Sequence, residues 1–197
     1  ARLAQCPGLF TPKSDPSHVQ EGVCHAKSRS PPYDPRWQAL FAAEAELLRQ
    51  VFQDNLIQIH HIGSTAVPGL KAKPIIDLLP VVRDIGRVDE TNEQMRSLGY
   101  LPKGEFGLPG RRYFAKGGDE RTHHVHVYQQ GHPAIRRHLA FRDYLRAHPD
   151  CARLYGELKE QLAERFPYDA ASYVAGKHEL AWSLEQKALA WKARGAN

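Results

Sequence analysis

The sequence predicts an α+β fold: a mixed β-sheet with a leading helix before it and a C-terminal helical bundle after it. Three observations carry that prediction. Two β-branched, apolar runs stand at 56–62 and 74–82. Alternating segments broken by Gly and Pro follow as far as residue 129. From Pro133 to about residue 192 the apolar residues recur at helical spacing instead.

Residues 1–32 hold five Pro and no sustained apolar period, which reads as a loosely ordered N-terminal extension before a domain over 33–192. In PPYDPRW, Asp34 can cap a helix and Pro35 can occupy its first turn. That helix is expected to run to about residue 53, burying Trp37, Leu40, Phe41, Leu48, Val51 and Phe52. LIQIHHI (56–62) predicts a strand, and GSTAVPGL after it a Gly-Ser turn into a short helical piece. PIIDLLPVV (74–82) is almost continuously apolar, the pattern of a central strand covered on both faces. A helix is expected over 86–98, with strands around 100–106, 111–116 and 122–129. Three helices follow, with apolar stripes Ile135/Leu139/Leu145, Leu154/Leu158/Leu162/Phe166 and Tyr173/Leu180/Leu184/Trp191.

The chain has 197 residues, 42% hydrophobic and 25% charged, an ordinary globular balance. A domain of this size buries roughly 70% of its unfolded surface and needs no disulfide or structural metal to fold. No apolar run approaches the ~18 residues of a membrane span, so no membrane partner is expected. ARLAQCPGLF lacks the charged start and apolar core of a secretory signal. Cys6, Cys24 and Cys151 are odd in number and widely spaced, which predicts reduced thiols and a cytoplasmic location; a Cys6–Cys24 bridge is the alternative.

The net charge of +5 lies in the second half. Residues 1–100 carry 11 basic and 11 acidic side chains, residues 101–197 carry 16 and 11. Such a bias suits an anionic partner, or it is the solvated face of the helices. The basic residues are not interleaved with the aromatic stripe of a single-strand platform, so nucleic acid is not the expected partner.

Asp77 is the one charge in the central apolar strand. A carboxylate there is costly unless it is paired, hydrogen-bonded or bound to metal. It reads either as a cap on a neighbouring loop or as a metal ligand or general base. Gly63 and Ser64 place backbone N–H groups and a hydroxyl at the start of a short helix, a setting that suits phosphate oxygens. In RTHHVHVY, alternation puts Thr122, His124, His126 and Tyr128 on one face. The two imidazoles can share a metal or an anionic substrate, or they can be solvated or locally bonded. If they meet Asp77, the nitrogen ligands favour Zn2+, Mn2+ or Fe2+ over Mg2+.

GEFGLPGRRYF reads as two strands joined by a Gly-Pro-Gly turn. Only one of Arg111 and Arg112 can enter a site on one face, and Arg112 is preferred as its anion-binding fork. Glu105 either supplies a second carboxylate or pairs with an arginine. Lys73 is placed to touch a phosphate, and Lys71 to be solvated. Tyr173 and Lys177, at i and i+4, either close over a nucleotide or pack and solvate in the ordinary way. Of His60 and His61, one should lie near the site and the other behind the sheet.

IHHIGSTAVPGLKAKPIIDLLPVV, with twelve residues between Ser64 and Asp77, resembles the plan of the polymerase-β-like nucleotidyltransferases, and within it the GrpB family. The likeness continues at YDPRW (33–37), GEFGLPGRRYF (104–114), RTHHVHV (121–127) and HLAFRDYLRAHPD (138–150). The resemblance implies a sheet of nucleotidyltransferase type. It implies that Gly63 and Ser64 meet the phosphates of a nucleoside triphosphate and that Asp77 holds a divalent metal, Mg2+ or Mn2+. One departure stands out: the second acid of those enzymes, two residues after the first, is Leu79 here. A single Asp cannot hold two hard cations. The function the resemblance implies is metal-dependent nucleotidyl transfer from a triphosphate to a small acceptor. The alternatives are other metal-dependent chemistry at His124, His126 and Asp77, such as hydrolysis or ligation, or a nucleotide-binding accessory module. GrpB-like domains also occur fused behind dephospho-CoA kinase; this chain carries no kinase P-loop.

Overall fold

Strand β2 (Ile76–Val82) lies inside a five-stranded sheet and supplies most of its apolar centre. The fold comes from a computed structural model that describes residues 30–195. Cys6, Cys24 and residues 1–29 of the N-terminal stretch lie outside those described residues. Ser30 is already buried, and the Pro31 carbonyl accepts from Ala72 N at 3.2 Å.

On one side β2 pairs antiparallel with β1 (Leu56–Ile62). On the other it pairs parallel with β5 (His123–Gln129). Beyond β5 come β4 (Arg111–Lys116) and β3 (Tyr100–Pro102), both antiparallel to their neighbours, giving the order β1-β2-β5-β4-β3. The register puts Asp77 beside His124 and Tyr113 beside His126. Because side chains alternate, that register decides which groups share a face.

One face is packed by α1 (Arg36–Phe52) and the short helices α2 (Gly86–Asp89) and α3 (Asn92–Ser97). Trp37, Leu48 and Phe52 meet Ile76, Leu78, Val125 and Val127 there, with Val88 and Met95. The opposite face carries Leu79, Val81 and Tyr128 against Ile62 and Ala134, beneath α4 (Pro133–Ala147). α5 (Pro149–Arg165) and α6 (Ala170–Ala193) complete the bundle. Val67 and Leu70, just after the Gly-Ser turn, are buried among Tyr144, Leu145, Tyr155 and Leu184. The bundle is thereby held against that turn. No helix is long and apolar enough to cross a membrane among the described residues.

Several elements differ from the sequence reading. The helix expected over 86–98 is two short pieces, α2 and α3. The strand expected over 100–106 stops at Pro102, because Gly104, Phe106, Gly107 and Gly110 all take positive φ and turn the chain into a loop. Leu40 is 49% exposed, and Glu44 and Ala45 take the buried positions of α1 instead. Glu44 is tolerated there because Lys116 Nζ meets its carboxylate at 2.9 Å.

Leu48 is fully buried between α1 and the sheet. Leu48→Ala should cost about 2–5 kcal/mol of unfolding free energy, measured by urea titration, with little change in slope.

Candidate functional site

The turn after β1 is shaped by Gly63, whose φ of 71° and ψ of −171° are essentially closed to other residues. A Cβ at this position would lie 2.2 Å from Asp77 Oδ2, so the backbone touches the carboxylate directly. Ser64–Ala66 then makes one 3₁₀ turn rather than a helix. Too few peptides are aligned there to supply a helix-terminus dipole, so what the turn can offer an anion is its N–H groups and the Ser64 hydroxyl. Other bonds fix the turn. Thr65 Oγ1 donates to Ile75 O at 3.1 Å, so His61 Nε2–H donates to Thr65 Oγ1 at 3.1 Å. From α4, Arg146 Nε and Nη2 donate to Ala66 O at 2.9 and 2.7 Å, and Arg142 Nη1 to His61 O at 3.1 Å. His61 lies behind the sheet, stacked 4.7 Å from Phe41 of α1.

Lys159, on α5, is 5% exposed. Its Nζ donates to Ser64 Oγ and to Lys71 O, each at 2.9 Å. Burial, reinforced by the nearby charge of Lys177, lowers its pKa to about 7. The amine is thus poised between charged and neutral forms beside the Gly-Ser turn.

Asp77 interrupts the buried run of β2 and its side chain is 24% exposed. Its Oδ1 lies 3.2 Å from His124 Nδ1 and 3.7 Å from His126 Nε2. Burial acts to raise its pKa, but the hydrogen bonds and charges of the two imidazoles outweigh it and hold the carboxyl well below the usual range. Burial likewise holds His126 below the usual imidazole value, and pushes His138 of α4 down to about 3. Asp77, His124 and His126 each offer one ligand atom, all within 4.8 Å of one another, a set that one metal ion can share.

The other expected site residues divide. Lys73 and Lys177 flank the Tyr173 ring, 5.7 and 5.4 Å from its centroid. Arg112 turns away: it shares the face of Val127, and its fork grips Asp89 of α2 at 2.7 and 2.8 Å. Glu105 supplies no second carboxylate. Its Oε1 accepts from Gly110 N at 2.7 Å and closes the 104–110 loop, with Arg112 at 3.9 Å. Lys71 is exposed to solvent, as expected, and there pairs with Glu160 at 2.9 Å.

Three further contributors stand out: Arg111, the alternative to the preferred Arg112, and His138 and Lys159, which the sequence pattern did not single out. Arg111 shares the face of Tyr113 and Tyr128 and reaches His126 Nδ1 at 3.4 Å. His138 lies 5.9 Å from His126, ring to ring. Lys159 left a visible signal, since it stands between Tyr155 and Leu162 on the buried stripe of α5.

The family model described as "GrpB protein" matches residues 31–187. The chain belongs to the GrpB family. It is 53% identical over 165 residues to UPF0157 protein YqkA of Bacillus subtilis (strain 168), covering 84% of this chain and 48% of that protein. The chain therefore spans about half the length of that relative. The crystal structure of conserved protein GrpB from Enterococcus faecalis superposes with a TM-score of 0.79 at 46% identity, over 81% of this chain and 96% of that one. Terminal uridylyl transferase 4 from Trypanosoma brucei with bound GTP gives 0.52 at 14% identity, over 80% and 54%. The fold of this GrpB protein is that of the nucleotidyltransferases.

Two outcomes check the site. Gly63→Ala forces a disfavoured φ and drives a methyl into Asp77; it should cost at least about 1–3 kcal/mol in urea unfolding and shift the ring resonances of His124 and His126. The second concerns pH. His61 is buried, and burial lowers its pKa to about 4. An unfolded histidine binds its proton near 6.5, so the unfolded chain gains protons first as the pH falls. The fold should lose roughly 1.4 kcal/mol per pH unit through His61 between about pH 6.5 and 4, with a further loss in the same direction through His138. Unfolding free energy that stays flat from pH 7 to 5 contradicts this.

Proposed function

We propose that this GrpB protein binds a nucleoside triphosphate at the Gly63–Ser64 turn and transfers its nucleotidyl group to a small acceptor with the help of a divalent metal. One observation carries the reading: the Gly63 backbone abuts Asp77 while Ser64 Oγ bonds Lys159, so a carboxylate and a buried cation flank one turn. Asp77 and at least one imidazole would hold the ion, which would neutralise phosphate charge and polarise the reacting phosphorus centre. A donor set that joins imidazole nitrogen to a carboxylate suits Mn2+, Zn2+ or Fe2+ better than Mg2+.

The chain's own groups then position the ligand. Lys159 meets a phosphate beside Ser64, with Lys73 and Lys177 adding positive charge around Tyr173. In transfer, an acceptor oxygen forms a bond to the α-phosphorus as the bond to pyrophosphate breaks, and the acceptor's proton passes to water. Holding the two reactants in line is the main contribution asked of the protein.

A second reading, metal-dependent hydrolysis or ligation at the same cluster, is favoured by Leu79. That side chain is fully buried, and Glu105 is engaged elsewhere, so Asp77 stands without a second carboxylate from either position. Product analysis separates the two: labelled pyrophosphate release that depends on an acceptor supports transfer.

Isothermal titration with ATP, GTP or CTP in the presence of Mn2+ tests the binding. Because the Lys159 ammonium is lost as the pH rises through about 7, affinity should fall from pH 6 to pH 8. Lys159→Met should weaken binding at pH 6 by about ten-fold, roughly 1.4 kcal/mol, and flatten the pH dependence. No binding by the unmodified protein at millimolar nucleotide overturns the proposal.

A further inference from the structure

Arg111 faces His126 with a group that can only donate. Its Nη1 lies 3.4 Å from His126 Nδ1. Two further bonds anchor the same fork: Nε donates to Glu105 O at 3.2 Å and Nη2 to Phe106 O at 2.8 Å. The guanidinium also lies 4.9 Å over the Tyr113 ring and is 6% exposed. Held on both sides, it is not free to swing away. The positive φ of Phe106, 45°, and of its glycine neighbours is what points those loop carbonyls inward.

A guanidinium offers no lone pair. In this contact His126 Nδ1 is therefore the acceptor, and the ring carries its proton on Nε2, the nitrogen that faces Asp77 Oδ1 at 3.7 Å. A histidine that ligates a metal through one nitrogen carries its hydrogen on the other, and normally gives it to a carbonyl or carboxylate. For His126, coordination through Nε2 would turn an N–H against the N–H groups of Arg111. His124 approaches the same Asp77 oxygen through Nδ1 at 3.2 Å, with its ring edge-on to His126. The two imidazoles of β5 are thus not equivalent.

We propose that Arg111 is a positioning residue that keeps His126 a hydrogen-bond donor, so that an ion at this site is held by Asp77 and His124 while His126 offers Nε2–H to the ion's anionic ligand. The proposal deepens the metal reading above and rests on it. It also gives the loop over 104–110 a purpose, since its carbonyls are what aim the arginine.

The test uses the full chain labelled with 15N-histidine, with ring signals assigned through His124→Gln and His126→Gln. In the metal-free protein, multiple-bond 1H–15N spectra should show His126 as the Nε2–H tautomer, and Arg111→Lys, which keeps a donor, should preserve it. Arg111→Met should release the tautomer and tighten Zn2+ binding, by about ten-fold if His126 then joins the ion. In the unmodified protein, His124→Gln should weaken Zn2+ by about ten-fold or more and His126→Gln by less than about three-fold. A His126 proton on Nδ1, or a loss of zinc affinity in His126→Gln equal to that in His124→Gln, overturns the proposal. If the unmodified protein binds no Zn2+, the metal reading itself fails. The tautomer spectrum requires no metal, so it judges Arg111 separately.

Discussion

A single carboxylate inside an apolar strand sets the terms for the rest of this molecule. Asp77 sits in β2 with Leu79 and Val81 buried on its own face and Ile76 and Leu78 on the other. A bare charge there would cost several kcal/mol. It is sustained by the two imidazoles of β5, which the parallel β2–β5 register delivers to it, while Gly63 leaves room for the carboxylate beside the turn. Change the register by one residue and His123 and Val125 would take the places of His124 and His126. The position of the site is therefore a property of strand pairing before it is a property of any loop.

Two lysines on opposite sides of the sheet, Lys116 and Lys159, are held in different ways. On the α1 face, Lys116 is matched by Glu44 at 2.9 Å, and the pair is complete within the fold. On the other face, Lys159 bonds two neutral oxygens, those of Ser64 and Lys71, and no carboxylate among the described residues lies in ion-pair range of it. A buried cation left to neutral partners is expensive, which its lowered pKa records. An anionic ligand on the Gly-Ser turn would supply what the fold withholds. The helices are built to hold that lysine in place: Val67 and Leu70 are packed under α4, α5 and α6, and Arg146 grips Ala66 O.

Much of this was legible in the residues themselves. The apolar run with one acid located β2, and simple alternation put His124 and His126 on one face, where they meet Asp77. What alternation cannot supply is the phase of one strand against the next. Arg111 and Arg112 are adjacent, and only the β4–β5 register, Tyr113 beside His126, shows which of them turns inward. Glu105 misled for a related reason: GEFGLPG looked like strand and tight turn, but positive φ at four positions made it a loop whose carboxylate caps Gly110. Lys159 is separated by 95 residues from the serine it touches. Its only local trace was a charge on the wrong side of an amphipathic helix.

Nucleotide binding as proposed requires the Gly-Ser turn, Asp77 and Lys159 to open on one cleft. A crystal structure of the chain with a non-hydrolysable nucleoside triphosphate and Mn2+ measures it most directly. A phosphate oxygen within hydrogen-bond reach of both Ser64 and Lys159, with the ion on Asp77, is the expected result. Nucleotide bound away from the turn, or an ion that ignores Asp77, would contradict it.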